Sequence, residues 1–332
     1  MQRVSLGSEE KESPRKAAPD FYVSSGSTLL DLVLGGGWPR GRIMNIVGDR
    51  SVGKTGLAIE ACANFARVGS SKCCRYGEAE SAFDDAYAEM LGMPKGITRP
   101  TDPLETVEQF HDDLDAFLKK GIKVKPLFYV LDSLDALSDA AEMDRGMEEA
   151  TYGQDKAKQL SKLFRKLTSR LEHEDCSLFV ISQVRDNIGV KFGPKTKRSG
   201  GKALDFYASQ ILWLSQLRQL KRTVRGVERT YGIEVRVRAT KNKVGLPFRE
   251  ADIQLIFNYG IDDEMSMIEY LKKYKAWTGA DKLESVQRAI VKAREAQDRE
   301  HVDHLRELLA EDVISHWMGI EAQIEPPMRK YA

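Results

Sequence analysis

Cysteine is scarce in this 332-residue chain. Cys62, Cys73, Cys74 and Cys176 are the four present, and their spacing matches neither a metal cradle nor a disulfide framework. That excludes a disulfide-stapled secreted fold and a zinc module, and it suits small apolar fillers in a reducing cytosol. No apolar run approaches the ~20 residues of a membrane span, and no signal-peptide pattern opens the chain. The expectation is a cytoplasmic protein with no membrane partner. Net charge is also nearly lacking, +1 overall, yet between Lys191 and Lys243 there are 14 Lys and Arg against 3 Asp and Glu. A cationic segment on an otherwise acidic body is the electrostatic footprint of a polyanion binder. What remains is an ordinary globular composition, 42% hydrophobic and 30% charged, in a chain long enough to bury a full core.

The most informative segment is Gly48-Asp49-Arg50-Ser51-Val52-Gly53-Lys54-Thr55, which fits G-x-x-x-x-G-K-[ST] at every fixed position. Such a loop turns backbone N–H groups around a nucleotide's phosphates. Lys54 supplies charge to the β- and γ-phosphates, and the Thr55 hydroxyl can ligate Mg²⁺. Arg42–Val47 reads as a buried strand and Gly56–Arg67 as a helix. Strand, glycine turn and helix is the order the motif requires, with the helix N-terminus adding partial positive charge.

Strand-like runs at 42–47, 72–76, 126–131, 177–182 and 210–215 alternate with helical stretches, notably 104–119 and 153–173. This predicts an α/β fold with a mostly parallel twisted sheet flanked by helices. Tyr231–Thr240 alternates apolar and charged residues, as a half-exposed antiparallel strand would. The expected division is a short mobile arm at 1–23, a core at 24–264 and a small helical C-terminal domain at 265–332. In the last, Asp281 is expected to cap a helix over 282–298. An apolar stripe of Val302, Leu305, Leu308, Leu309, Val313 and Trp317 predicts an amphipathic final helix.

Leu127-Phe-Tyr-Val-Leu-Asp132-Ser133 is a buried strand ending in an acid beside a hydroxyl, the expected partner of the phosphate loop. Its Asp132 would enter the Mg²⁺ shell. The run Gly77-Glu78-Ala79-Glu80 follows another strand and offers two acids to position or deprotonate water, with Glu80 favoured. Gln183, where the strand over 177–182 ends, is placed to hydrogen-bond a γ-phosphate.

Order and spacing of these and further motifs over residues 23–275 resemble the bacterial-type RecA recombinase family. The matching pieces include Ser24-Ser-Gly-Ser-Thr-Leu-Leu-Asp-Leu-Val-Leu-Gly35, the phosphate loop, Glu78-Ala-Glu-Ser-Ala-Phe-Asp-Asp-Ala-Tyr-Ala88 and Leu131-Asp-Ser-Leu-Asp-Ala-Leu137. They continue with Ile181-Ser-Gln-Val-Arg-Asp-Asn-Ile-Gly-Val-Lys-Phe-Gly193, Gly200-Gly-Lys-Ala-Leu-Asp-Phe-Tyr-Ala-Ser209 and Lys241-Asn-Lys-Val-Gly-Leu-Pro-Phe248. The resemblance implies a RecA-like P-loop NTPase core using ATP and Mg²⁺. It implies Glu80 as the catalytic glutamate, Tyr87 as the ring stacked on adenine with Asp84 beside it, and Gln183 as the coupler to the following DNA loop. Lys241 and Lys243 would reach a neighbouring subunit's nucleotide. The segment 186–202 would be the second DNA loop, flanked by Arg185. There Asn187, Lys191, Lys195, Lys197, Arg198 and Lys202 would be contacts, Gly200 and Gly201 pliable points and Phe192 an apolar wedge. The stretch 142–153 would be the first loop, through Arg145 and Met147.

The function so implied is a DNA-dependent ATPase that assembles head-to-tail on single-stranded DNA and pairs it with homologous duplex DNA. Two alternatives stay open on the sequence: a ring-forming motor such as a hexameric helicase, and a non-catalytic ATP-gated DNA-binding module. Three departures stand out. Few residues precede Ser24 to build the family's N-terminal polymerisation arm, the chain ends Met328-Arg-Lys-Tyr-Ala332 rather than in an acidic tail, and Asp49-Arg50 replaces the usual Pro-Glu. They suit a phage- or mobile-element-encoded relative.

Overall fold

The computed structural model describes residues 19–80, 83–138, 154–186, 196–198 and 201–327. In chain order the strands are β1 (Tyr22–Val23), β2 (Trp38–Pro39), β3 (Ile43–Gly48), β4 (Cys74–Glu78), β5 (Leu127–Asp132) and β6 (Cys176–Asp186). They continue with β7 (Thr196–Arg198), β8 (Gln210–Val224), β9 (Val227–Asn242), β10 (Glu250–Ile256) and β11 (Gly260–Asp262). The helices are α1 (Thr28–Leu34), α2 (Lys54–Val68), α3 (Asp85–Met90), α4 (Val107–Lys119), α5 (Gln154–His173) and α6 (Gly201–Tyr207). α7 (Asp263–Tyr274), α8 (Leu283–Glu295) and α9 (Arg299–Ile324) follow.

One large sheet runs in the order β11-β10-β9-β8-β3-β6-β5-β4, with β7 paired to β6. From β8 through β3, β6 and β5 to β4 all neighbours are parallel. β9, β10 and β11 extend it antiparallel. The parallel strands read as continuous apolar runs because helices cover both faces. In β3 every residue is buried, and successive side chains point to opposite faces. Met44 and Ile46 enter one core with α1, α2 and the C-terminal helices. Ile43 and Val47 enter the other, with α4, α5 and α6.

Local chemistry sets the helix ends. α4 starts with a capping box between Thr106 and Gln109, and buries Val107, Phe110, Leu114, Phe117 and Leu118. Phe65 of α2 stacks on Phe128 of β5, ring centroids 4.1 Å apart, a contact worth about 0.5–1.5 kcal/mol beyond its buried area. That stack holds the helix that follows the phosphate loop at a fixed distance from the strand carrying Asp132.

Several expectations need correction. Asp281 does not cap α8: the helix starts at Leu283, which puts Lys282 at the N-cap without a side-chain bond, while the Asp281 carbonyl accepts the Trp277 indole N–H at 2.7 Å. α8 ends at Glu295, and Asp298 caps α9 instead, accepting from His301 N. On α9, Leu305, Leu309 and Val313 are buried, but Leu308 is 40% exposed. The expected strands 210–215 and 231–240 are also too short. β8 and β9 form one long hairpin turned at Arg225 and Gly226, with φ of 50° and 77°, the paired left-handed conformation of a type I′ turn. β10 pairs with β9 only as far as Gly232. Beyond it the hairpin is a two-stranded ribbon carrying Lys221, Arg222, Arg225 and Arg229. Among the described residues no helix is long and apolar enough to cross a membrane.

Candidate nucleotide site

Strand register assembles the site. Gly48 of β3 lies opposite Gln183 of β6, and Glu78 of β4 lies opposite Asp132 of β5. The phosphate loop, the acid-ending strand and the glutamine therefore meet at one carboxyl edge of the parallel strands, where open α/β sheets take ligands. A cleft of 490 Å³ opens there, lined by Arg50, Lys54, Thr55, Glu80, Asp132 and Gln183 on its polar part. Tyr87, Leu91, Leu255 and Phe257 supply an apolar part. A second cleft of 480 Å³ lies among β9, β10, α7 and α9. Its Arg218, Arg236, Arg249 and Lys273 are each paired with an acid, so their charges are already compensated within the fold.

The loop itself depends on left-handed backbone at Ser51 (φ 60°) and Gly53 (φ 91°). Left-handed turns of this kind are how successive N–H groups come to face one anion. The backbone conformation there favours glycine, and a Cβ on Gly53 would also sit 2.3 Å from Leu255 Cδ1, whose side chain would have to shift. Lys54 is 8% exposed, and its Nζ donates to the carbonyls of Gly48 (2.9 Å) and Asp49 (2.5 Å). Burial lowers the Lys54 pKa, opposed by the charges of Asp132, Glu80, Asp135 and Asp49. Asp132 accepts from the Thr55 hydroxyl at 3.0 Å and from the Tyr76 hydroxyl at 2.7 Å. Burial pushes its pKa up, and those two hydrogen bonds oppose the rise.

Glu78 and Glu80 part company because β4 stops at Glu78. Two residues apart in a continued strand they would share a face. The chain instead leaves the sheet, with Ala79 N donating to Asp132 O. Glu78 lines a separate hollow with Arg99, whereas Glu80 lines the nucleotide cleft. Glu80 Oε1 accepts from Gln183 Nε2 at 2.7 Å and from the Ser133 hydroxyl. Asp84 caps α3, accepting from Tyr87 N at 3.1 Å, and the Tyr87 ring borders the cleft. Lys241 and Lys243 lie elsewhere on the chain, donating to the carbonyls at the end of α6: Lys241 to Asp205 O and to Phe206 O (2.9 Å), Lys243 to Phe206 O (3.1 Å).

Of the expected DNA contacts, Arg145 and Met147 lie outside the described residues, as do Asn187, Lys191, Phe192, Lys195 and Gly200. Arg185 falls in β6, Lys197 and Arg198 in β7, and Gly201 and Lys202 open α6. The expected second loop thus has a stem, because Val184 pairs with Arg198 and Arg185 with Lys197, antiparallel. That stem begins one residue after Gln183.

Sequence reasoning did not single out Tyr76, Asp135 or Glu60. Asp135 accepts from Gln183 N at 2.7 Å. It belongs to the Asp132-Ser133-Leu134-Asp135 run, so its spacing from the strand-end acid was a usable signal. Glu60 is on the cleft wall and accepts from Ile261 N at 3.1 Å. Burial raises its pKa from 4.5 to about 7. Because the folded value lies above the ordinary one, the folded chain binds this proton more tightly. The stabilisation is complete below pH 4.5 and is lost as pH rises through about 7. Asp31 and Asp263, raised to about 6 by burial, act in the same direction. Glu60→Gln should therefore stabilise the fold at pH 8 by on the order of 1–3 kcal/mol, with little effect at pH 4.5 in urea unfolding. Equal effects at both pH values would contradict the burial argument.

The family model for the RecA N-terminal domain matches residues 7–262. The chain belongs to the RecA family. It is similar to the protein RecA of Acidothermus cellulolyticus, 37% identical over 268 residues that cover 78% of this chain and 74% of that one. It is also similar to the protein RecA of Leifsonia xyli subsp. xyli, 36% identical over 279 residues covering 82% and 73%. The RecA-family match takes in the phosphate loop, Asp132, Glu80 and Gln183 together.

Proposed function

We propose that this chain is a DNA-dependent ATPase that assembles on single-stranded DNA and carries out homologous pairing and strand exchange in recombination and repair. The observation that carries the reading is the junction at Gln183, which touches Glu80 in the cleft and stands one residue from the stem of the cationic hairpin. In this reading Lys54 and the loop N–H groups hold the phosphates of ATP. Thr55 and Asp132, two hard oxygen donors joined at 3.0 Å, suit Mg²⁺, which when bound neutralises charge on the phosphate oxygens. Glu80 orients and deprotonates the attacking water. Tyr87 packs on the base. Lys241 and Lys243 serve a neighbouring protomer's nucleotide, which makes turnover depend on assembly.

The test is phosphate release with and without single-stranded DNA, followed by a strand-exchange assay with homologous duplex and electron microscopy of the complex. The reading predicts turnover stimulated by DNA, exchanged product and open helical filaments. DNA-independent turnover, or closed rings that unwind duplex directionally, would contradict it.

A further inference from the structure

Gln183 is where β6 changes partners. It is the last β6 residue paired with β3, opposite Gly48, and Val184 is the first paired with β7. Both ends of Gln183 are held. Its side-chain amide donates to Glu80 Oε1 at 2.7 Å, and its backbone N–H donates to Asp135 Oδ2 at 2.7 Å. Asp135 belongs to the turn that follows β5, which is itself tied to β6 through Leu134 N and Ile181 O at 3.1 Å. Leu134 and Leu137 anchor that turn in the core. The same turn presents the Ser133 hydroxyl to Glu80. Glu80 Oε1 therefore receives one donor from the β5 turn and one from β6, and Asp135 binds those two elements together.

We propose that Asp135 is a positioning residue for ATP hydrolysis: it clamps the Gln183 backbone at the branch between the nucleotide cleft and the cationic hairpin. This rests on the DNA-dependent ATPase reading above. A carboxylate accepting a backbone N–H makes a charge-assisted bond, shorter and stronger than a neutral one. With the backbone pinned there, a displacement of the hairpin stem reaches Glu80 through the Gln183 side chain and is not dissipated as drift of the strand. While the amide and the Ser133 hydroxyl occupy Glu80 Oε1, that oxygen cannot also accept from a water. Withdrawing the Gln183 amide frees it. A second feature marks the carboxylate as more than a turn filler. Its Oδ1 is buried without a hydrogen-bond partner among the described residues, a cost that a simple loop position would shed by having a smaller or apolar residue.

The experiment uses the full chain with Asp135→Ala and Asp135→Asn, measuring ATP turnover against ATP concentration with and without oligo-dT. For Asp135→Ala the DNA-stimulated kcat should fall about tenfold, a usual size for coupling between two sites. KM for ATP should stay within about twofold. Asp135→Asn keeps a carbonyl acceptor and should recover most of the stimulation. Full stimulation in Asp135→Ala, or Asp135→Asn as impaired as Asp135→Ala, would overturn the proposal. So would loss of fluorescent ATP-analogue binding in Asp135→Ala, which would assign Asp135 a merely structural role. A lack of DNA stimulation in the unaltered chain would instead bring down the underlying ATPase reading, and this inference with it.

Discussion

Glu80→Gln should lower ATP turnover by about 10²- to 10⁴-fold, the usual worth of a positioned general base, while leaving ATP binding nearly intact. The amide keeps the shape of the side chain and can still accept from Ser133 and Gln183 through its carbonyl oxygen. It cannot take a proton from water. Lys54→Ala should act differently, because Lys54 is the buried cation of the phosphate loop. It should cost nucleotide affinity as well as rate. Phosphate release paired with a titration of a fluorescent ATP analogue separates the two. Turnover within a few-fold of the unaltered chain in Glu80→Gln would move the base elsewhere. Glu78 is a poor replacement, since it faces the hollow that contains Arg99.

Affinity for single-stranded DNA should fall about 100-fold between 50 and 200 mM salt. The size follows from five cations of the hairpin segment: Lys191, Lys195, Lys197, Arg198 and Lys202. Each phosphate contact on a single strand contributes about 0.7 to the log–log slope, so five give about −3.5 over a fourfold change in salt. Replacing Lys195 and Lys197 together with Ala should flatten the slope by about 1.4. Fluorescence anisotropy of a labelled oligonucleotide over a salt series measures both. A flat salt response, or an unchanged slope in the double variant, would remove the segment from the DNA contact.

What the sequence disclosed was governed by distance along the chain. The phosphate loop is eight consecutive residues whose glycines, lysine and threonine each answer a local requirement. The buried strand ending at Asp132 announces itself by an unbroken apolar run. Tyr76 and Glu60 reach the site through strand register and packing between segments far apart in sequence, so no local pattern exposed them, whereas Asp135 had a local signal in its spacing from Asp132. The extent of the β8–β9 hairpin was hidden for another reason. Past Gly232 the ribbon has few neighbours to bury a face against; Leu220 is its lone buried residue in β8 beyond Leu214. Period-two alternation therefore fades there into Lys221, Arg222, Arg229 and Thr230. At α8 the capping signal misled by one position: the helix starts at Leu283, so Lys282 and not Asp281 stands at the N-cap. The family resemblance supplied roles for Tyr87, Lys241 and Lys243 that spacing alone did not reveal.

The account turns on communication between the cleft at Lys54, Asp132 and Glu80 and the hairpin that starts after Gln183. The most direct measurement is the affinity of one labelled oligo-dT at fixed salt for the chain saturated with a non-hydrolysable ATP analogue and with ADP. The account predicts binding at least about tenfold tighter with the triphosphate. Equal affinity in the two nucleotide states would contradict it.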